Sequence, residues 1–308
     1  MVHKTKITSV ILACFRLMPT RMRIALFTFF FRLFYYVSVK QRLIAIQNLT
    51  LAFPDMSMPE ILRIVMGVYS NMGIVAAEFV DIPSLKKEHL GDLVEVEGLG
   101  NCVNALKKNK GLLMFGAHLG NWEMEAAVVA LLLKPLMVIY RPLDSAVLDN
   151  LVTWVRSATG NIPLAKDFAM RPMLRCLKDN GVLGLLIDQN VAWQEGVFVD
   201  YFGRPAATTN GLALLALHTE APVIPGTMVR LDNGKYRLIL GTEVEIIRTG
   251  DRDADIISNT QKFTSIIEEM VRRYPDQWLW VHQRWKTKLC QIQNASHRLV
   301  TLKPVEWR

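Results

Sequence analysis

"GLLMFGAHLGNWEMEAAVVALLL", residues 111–133, decides how this chain is read. Leu112 to Phe115 is an unbroken apolar run between glycines, too short for a core helix and continuous rather than alternating, which is the pattern of a strand buried on both faces. From Asn121 to Leu133 the residues read as a helix. The turn between them holds one histidine, His118, and a carboxylate, Glu123, follows five residues later. A buried strand that passes through a tight turn into a helix is the repeating unit of an α/β sheet.

Outward from this unit the alternation continues. Strands are expected at Leu136–Tyr140, Val182–Asp188, Val223–Val229, Tyr236–Leu240 and Glu243–Ile247, with Asp232-Asn233-Gly234 as the turn joining two of them. Helices are expected at about 100–108, 146–159, 171–180, 212–219 and 256–274. Upstream, residues 41–80 carry helical periodicity that Phe53-Pro54-Asp55 splits in two. The expected fold is α/β, a mostly parallel sheet flanked by helices, with an N-terminal hydrophobic helix that anchors the chain to a membrane.

That anchor is read from IALFTFFFRLFYYVSV, residues 24–39. Its sixteen residues fall short of the roughly 20 a spanning helix needs, and Arg32 interrupts them. A short or tilted span and a helix lying in the interface, its arginines reaching lipid phosphates, both fit; so does a buried helix of the fold. The expected organisation is an anchor over residues 1–40 and a single α/β domain over 41–308.

Composition narrows the partners. The chain has 308 residues, 51% of them hydrophobic, enough for a sizeable core, and a net charge of +8 that favours something anionic: nucleic acid, lipid headgroups, a phosphorylated substrate or an acidic protein. Scattered rather than striped arginines, and no recognition module, argue against nucleic acid. Cys14, Cys102, Cys176 and Cys290 lie far apart, which points to a reducing compartment rather than a disulfide framework. The Asn48 and Asn294 sequons then carry no meaning.

In open α/β sheets the ligand lies beyond the carboxyl ends of the strands, and His118 and Asp188 both follow such ends. On one helix, five residues turn through about 140°, so His118 and Glu123 meet only if His118 precedes the helix and Glu123 sits in its first turn. There a carboxylate is favoured by the helix dipole, and can orient the imidazole as a general base. Capping of the helix by Glu123 is the competing explanation. No Gly-x-Ser-x-Gly elbow, Walker loop or dinucleotide fingerprint occurs, and His-x4-Glu is not the His-Glu-x-x-His spacing of a zinc site, so neither metal nor cofactor is expected. Arg204, Thr208 and Thr209 lie in a donor-rich loop suited to a phosphate or an acceptor, although the threonines also suit the start of the helix after Asn210. Asp188 equally suits the capping of a turn.

These residues, taken in order, resemble a known family. His118-Leu-Gly-Asn-Trp-Glu123 is similar to the His-x4-Asp/Glu motif of glycerolipid acyltransferases, and as "AHLGNWE" it resembles the lipid A late acyltransferases. The likeness extends through Arg42, Asn48-Leu49, Phe53-Pro54, Tyr140-Arg141-Pro142, Leu148-Asp149, Arg156-Ser157-x-x-Gly160, Asp188-Gln189, "YFGRPAATTNG" (201–211) and "YPDQWLWVHQRWKT" (274–287).

The resemblance implies O-acyl transfer from acyl carrier protein, a co-substrate, to a hydroxyl of a phosphorylated lipid A precursor. His118 would be the base and Glu123 its orienting partner. Arg156 is expected near the reacting centre, and Arg156, Asp188, Arg204, Thr208, Thr209 and Asn121 form the expected substrate-binding set. Trp278, Trp280, Arg284, Trp285 and Lys286 suit either a membrane interface or, for the first two, the core. Expected partners are acyl carrier protein, the lipid A precursor and membrane lipids, at the inner membrane with the catalytic domain on its cytoplasmic face. Phosphatidylinositol mannoside or glycerolipid acyl transfer, and non-catalytic lipid binding, are the alternatives.

Overall fold

The computed structural model of the chain describes residues 12–288 apart from position 168; Cys290 and the Asn294 sequon lie outside them. Ahead of the sheet lie α1 (Thr20–Val37), α2 (Val39–Ala52) and α3 (Met58–Phe79). The sheet domain follows as β1 (Val94–Glu97), α4 (Leu99–Leu106), β2 (Leu112–Gly116), α5 (Trp122–Leu132), β3 (Leu136–Tyr140), α6 (Ala146–Ser157), β4 (Ile162–Ala165), α7 (Met170–Lys178) and β5 (Val182–Leu186). It closes with β6 (Gly196–Tyr201), β7 (Arg204–Thr209), α8 (Gly211–Thr219), β8 (Val223–Arg230), β9 (Tyr236–Leu240) and α9 (Arg252–Arg273).

Seven strands form one sheet in the order β1-β9-β8-β2-β5-β3-β4, every neighbouring pair parallel except β8 and β9. The expected mostly parallel α/β sheet is therefore what the chain builds. β2 lies at its centre, and all five of its residues are buried because consecutive side chains go to opposite covered faces. Leu113 and Phe115 join a core with α2, α3, α8 and α9, through Leu49, Val65, Leu212, Phe263 and Ile267. Leu112 and Met114 pack on the other face against Cys102 and Ala105 of α4 and Val128 of α5.

Four expectations need amendment. Glu243–Ile247 is not a strand: Val244 donates one bond to Val223 O (2.8 Å), while the Asn259 side chain takes up the N–H and C=O of Ile247, so no ladder forms. β4 was not anticipated, being four residues long with Pro163 in it, which an edge strand tolerates. Nor was β1, the opposite edge. The supposed loop 201–211 largely belongs to an antiparallel hairpin, β6–β7, whose two-residue turn Phe202-Gly203 has positive φ at both positions. Phe202 is held there by its N–H to Glu268 Oε2 (2.7 Å) and by Arg272 over its ring at 4.3 Å.

The apolar N-terminal segment packs along α3. Gly73 lets the two helices touch: a Cβ there would come within 2.8 Å of Thr28 Cα. Arg23 does not reach outward as an anchor arginine would; it is buried, donating to Ala77 O at 2.7 Å and pairing with Asp81. Arg32 donates to Ser70 Oγ (2.9 Å). The opposite face remains open, with Phe29, Phe30, Tyr36 and Val37 all more than half exposed. α1 and α2 meet at a bend of 88°. Among the described residues, the one helix that by itself has the length and apolarity of a span is α3, and it serves the core.

Candidate active site

β2 and β5 are adjacent and parallel, with Gly116 opposite Leu186. Two residues further along each strand, the same register sets His118 against Asp188. The Asp188 carboxylate accepts three bonds: the His118 backbone N–H (2.9 Å), His118 Nδ1 (2.8 Å) and Trp278 Nε1 (2.8 Å). Since an ionised carboxylate only accepts, Nδ1 carries the proton, and the Nε2 lone pair is left for substrate. Gln189 Nε2 lies beside the ring at 3.5 Å from each nitrogen, at the outer limit of hydrogen bonding.

The turn is fastened on several sides. Leu279 N–H donates to His118 O (3.0 Å), Gly120 N–H to Gln277 O (3.0 Å) and Asn121 N–H to Met228 O (2.9 Å), while Asn71 Nδ2 donates to Gly120 O (3.0 Å). Gly120 has φ +63, and a Cβ there would fall 2.0 Å from Met228 O. This is the physical need for glycine in the motif: β8 runs directly beneath the turn.

Charge then tunes the pair. Burial pushes the His118 pKa down, but the Asp188 charge and hydrogen bond push it up harder, Glu123 adding and Arg156 subtracting, so the net direction is upward. Burial would raise Asp188; the imidazole, the His118 N–H and the Trp278 N–H overcome it and hold the carboxyl at about 2.

Glu123 sits in the first turn of α5, as the spacing required, but it does not orient the imidazole by contact. Its carboxylate is gripped in a fork by Arg156, Nε to Oε2 at 2.8 Å and Nη2 to Oε1 at 2.6 Å. That corrects the expected arrangement: Asp188 holds the ring and Glu123 acts on it through space. The reason lies in direction, since the first turn of α5 aims Glu123 at α6 while the parallel register brings Asp188 alongside His118. Arg156, half buried on α6 with Tyr140 beneath it at 5.8 Å, keeps Nη1 outside the fork.

Asp188, expected in the substrate-binding set, is instead the partner of the imidazole, because its carboxylate is taken up by His118 and Trp278; the remaining expected substrate residues are not gathered here. Asn121 is buried and fully engaged: Nδ2 donates to Glu78 (2.9 Å) and Tyr236 Oη (3.2 Å), and Oδ1 caps α5 at Met124 N (3.1 Å). Thr208, also buried, accepts from Arg284 Nη2 and donates to Ala206 O (3.1 Å), so no edge is left for a phosphate. Thr209 Oγ1 accepts a long bond from Gly211 N (3.4 Å) at the start of α8. Arg204 stands at the hairpin turn and donates to Leu51 O (3.1 Å), a link between β7 and α2.

The C-terminal block is core rather than interface for most of its length. Trp278, Trp280, Trp285 and Arg284 are buried, and only Lys286 of the five is exposed. Two residues that the sequence singles out have roles it does not show. Trp278 was visible as an aromatic, but nothing local marks its N–H as a donor to Asp188. Asn48, singled out as part of the resemblance, donates to Trp280 O (2.8 Å) and His282 O (2.7 Å) and so ties α2 to the segment behind the site.

The family model described as bacterial lipid A biosynthesis acyltransferase matches residues 4–287. The lipid A biosynthesis palmitoleoyltransferase of Escherichia coli (strain K12) is 28% identical over 247 residues, 80% of this chain and 78% of that one. The lauroyltransferase of the same organism is 28% identical over 245 residues, 79% and 78% of the two chains. Among solved structures, the 1-acyl-sn-glycerophosphate (LPA) acyltransferase PlsC from Thermotoga maritima aligns with 84% of this chain and 99% of its own, at 13% identity and a TM-score of 0.39. The family match spans both the His118 turn and the Trp278 segment that closes over it, and the chain belongs to the bacterial lipid A biosynthesis acyltransferase family.

Proposed function

We propose that the protein moves a fatty acyl chain from the thioester of acyl carrier protein to a hydroxyl of a phosphorylated lipid A precursor, with His118 as the general base. The observation that carries this reading is the His118 Nδ1 to Asp188 Oδ1 bond of 2.8 Å, because it fixes the tautomer that leaves Nε2 basic at the strand ends. The acceptor hydroxyl gives its proton to Nε2 as its oxygen attacks the thioester carbonyl. Collapse of the tetrahedral intermediate breaks the carbon–sulfur bond, and the departing thiolate takes the proton back from His118. The products are an ester and the free carrier thiol.

Arg156, charged and anchored by Glu123, supplies a guanidinium edge for the developing oxyanion or for an acceptor phosphate. The open aromatic face of α1 suits the lipid interface in which such an acceptor lies. We place the protein at the inner membrane with this domain on the cytoplasmic face, where carrier protein is available. The net charge of +8 suits both an acidic carrier and a phosphorylated glycolipid.

The test is mass spectrometry of a phosphorylated tetra-acylated lipid A precursor incubated with acyl carrier protein charged with ten- to sixteen-carbon chains. A gain of one acyl group with the wild type and none with His118→Ala is expected. No gain with any donor, from folded protein, would refute it; transfer to a mannoside or glycerol-phosphate acceptor instead would replace the acceptor named here.

A further inference from the structure

Arg284 is one of the largest fully buried side chains of the protein, yet among the described residues no carboxylate lies within ion-pair distance of it. Its guanidinium donates to Ala207 O (2.8 Å) and to Thr208 Oγ1, and sits over the Tyr201 ring at 4.9 Å. Its Nε has no partner. A buried cation held only by neutral groups is costly unless an anion nearby compensates it through space.

The charges around the His118 centre identify that anion. Glu123 and Arg156 neutralise each other, and so do Glu268 and Arg272, paired at 2.6 Å beside Tyr201. His282 is neutral, because its Nε2 accepts the Asn190 N–H (2.9 Å) and burial pushes its pKa down. Lys286 is exposed to solvent. Asp188 and Arg284 remain, and one stack of side chains joins them: the guanidinium lies 4.9 Å from the Tyr201 ring, that ring lies 5.8 Å from the Trp278 ring, and Trp278 Nε1 donates to Asp188 at 2.8 Å, so the Asp188 charge acts on the guanidinium across it. Glu78 and Arg230 also neutralise each other, and burial pushes the Glu125 carboxyl up to about 8, so these charges sum to zero at pH 7 when His118 is neutral and to one positive charge when it is protonated.

We propose that Arg284 is a positioning residue for the catalytic pair: its guanidinium is the through-space counter-charge of Asp188, and it limits how far that carboxylate favours the protonated form of His118. It touches neither substrate nor imidazole. In this arrangement Asp188 supplies orientation and tautomer control at full strength, while the electrostatic pull that would trap the imidazolium is reduced. The inference deepens the reading of His118 as base and rests on it.

The experiment is NMR titration of histidine-labelled full-length protein in detergent micelles, with the His118 resonance assigned by its absence in His118→Ala. Wild type, Arg284→Met and Arg284→Lys are compared. The His118 midpoint is expected to rise by about half to one pH unit in Arg284→Met, a threefold to tenfold change in its proton affinity, and to return toward wild type in Arg284→Lys. A role in packing alone would move stability without moving the midpoint, so an unchanged midpoint in folded Arg284→Met overturns the proposal. If Arg284→Met does not fold, Asp188→Asn/Arg284→Met decides: restored folding supports compensation between the two charges, and continued failure overturns it. Neither measurement uses substrate, so a failed transfer assay would refute the proposed reaction and leave this result standing on its own.

Discussion

Asp188→Asn is the most searching single change in this protein. The wild-type carboxylate accepts from three donors, the His118 N–H, His118 Nδ1–H and Trp278 Nε1–H, at 2.9, 2.8 and 2.8 Å. An asparagine has one accepting oxygen. With that oxygen at the former Oδ2 position it keeps the bonds from the His118 backbone and Trp278, and its amide NH2 then faces Nδ1. An N–H facing Nδ1 requires that nitrogen to be unprotonated, so the proton moves to Nε2 and the base is lost.

The expected loss in kcat/KM is about 10³- to 10⁴-fold, the scale of a wrong-tautomer histidine. Stability changes as well. The carboxyl lies at about 2 against an ordinary 3.8, a difference of roughly 2 kcal/mol of stabilisation at neutral pH. Because the folded-state value is the lower one, this contribution is present above pH 4 and lost as pH falls toward 2; Asp188→Asn removes it. Acyl transfer by mass spectrometry and unfolding of wild type and variant at pH 7 and at about pH 2 measure both effects. Retention of activity within about threefold of wild type, with Glu123→Gln inactive, would refute the tautomer argument and make Glu123 the orienting group.

Three further outcomes are expected. Glu123→Gln breaks the fork to Arg156 and should lower kcat by about 10- to 100-fold with the fold intact; adding Arg156→Gln should cost far less than the product of the two single losses, because the residues act as one unit. Gly120→Ala forces a Cβ against Met228 O at 2.0 Å in a left-handed backbone, and calorimetry should register a destabilisation of at least about 2 kcal/mol. Phe29→Ser/Phe30→Ser, on the open face of α1, should leave circular dichroism and unfolding unchanged while reducing co-flotation with anionic vesicles several-fold; unchanged flotation would remove α1 from the membrane surface.

Much of the site was legible before any contact was known. The apolar run 112–116 and its bounding glycines fix a central strand, and a buried strand flanked by helices places the residues beyond its end where ligands bind. That rule puts His118 and Asp188 at strand ends. It did not say that they touch, because 70 positions separate them and only the pairing of Gly116 with Leu186 brings them together. Glu123 was correctly placed in the first turn of α5, yet its direction depends on α6 presenting Arg156.

Local sequence determined what depends on neighbours along the chain: the strand and helix periods, the tight turn at Gly120, the hairpin at Asn233-Gly234 and the ordered motif that marks the family. The tertiary structure decided what depends on burial and register. It took Arg284, Trp278 and Trp280 into the core, engaged Asn121 and Thr208 in internal bonds, packed α1 on α3 around a buried Arg23, and chose Asp188 over Glu123 as partner of the imidazole. The division has one cause. Backbone preference and hydrophobic period act over a few residues and are written in them, whereas a side chain's solvent, counter-charge and hydrogen-bond partner are supplied by segments that folding alone brings near.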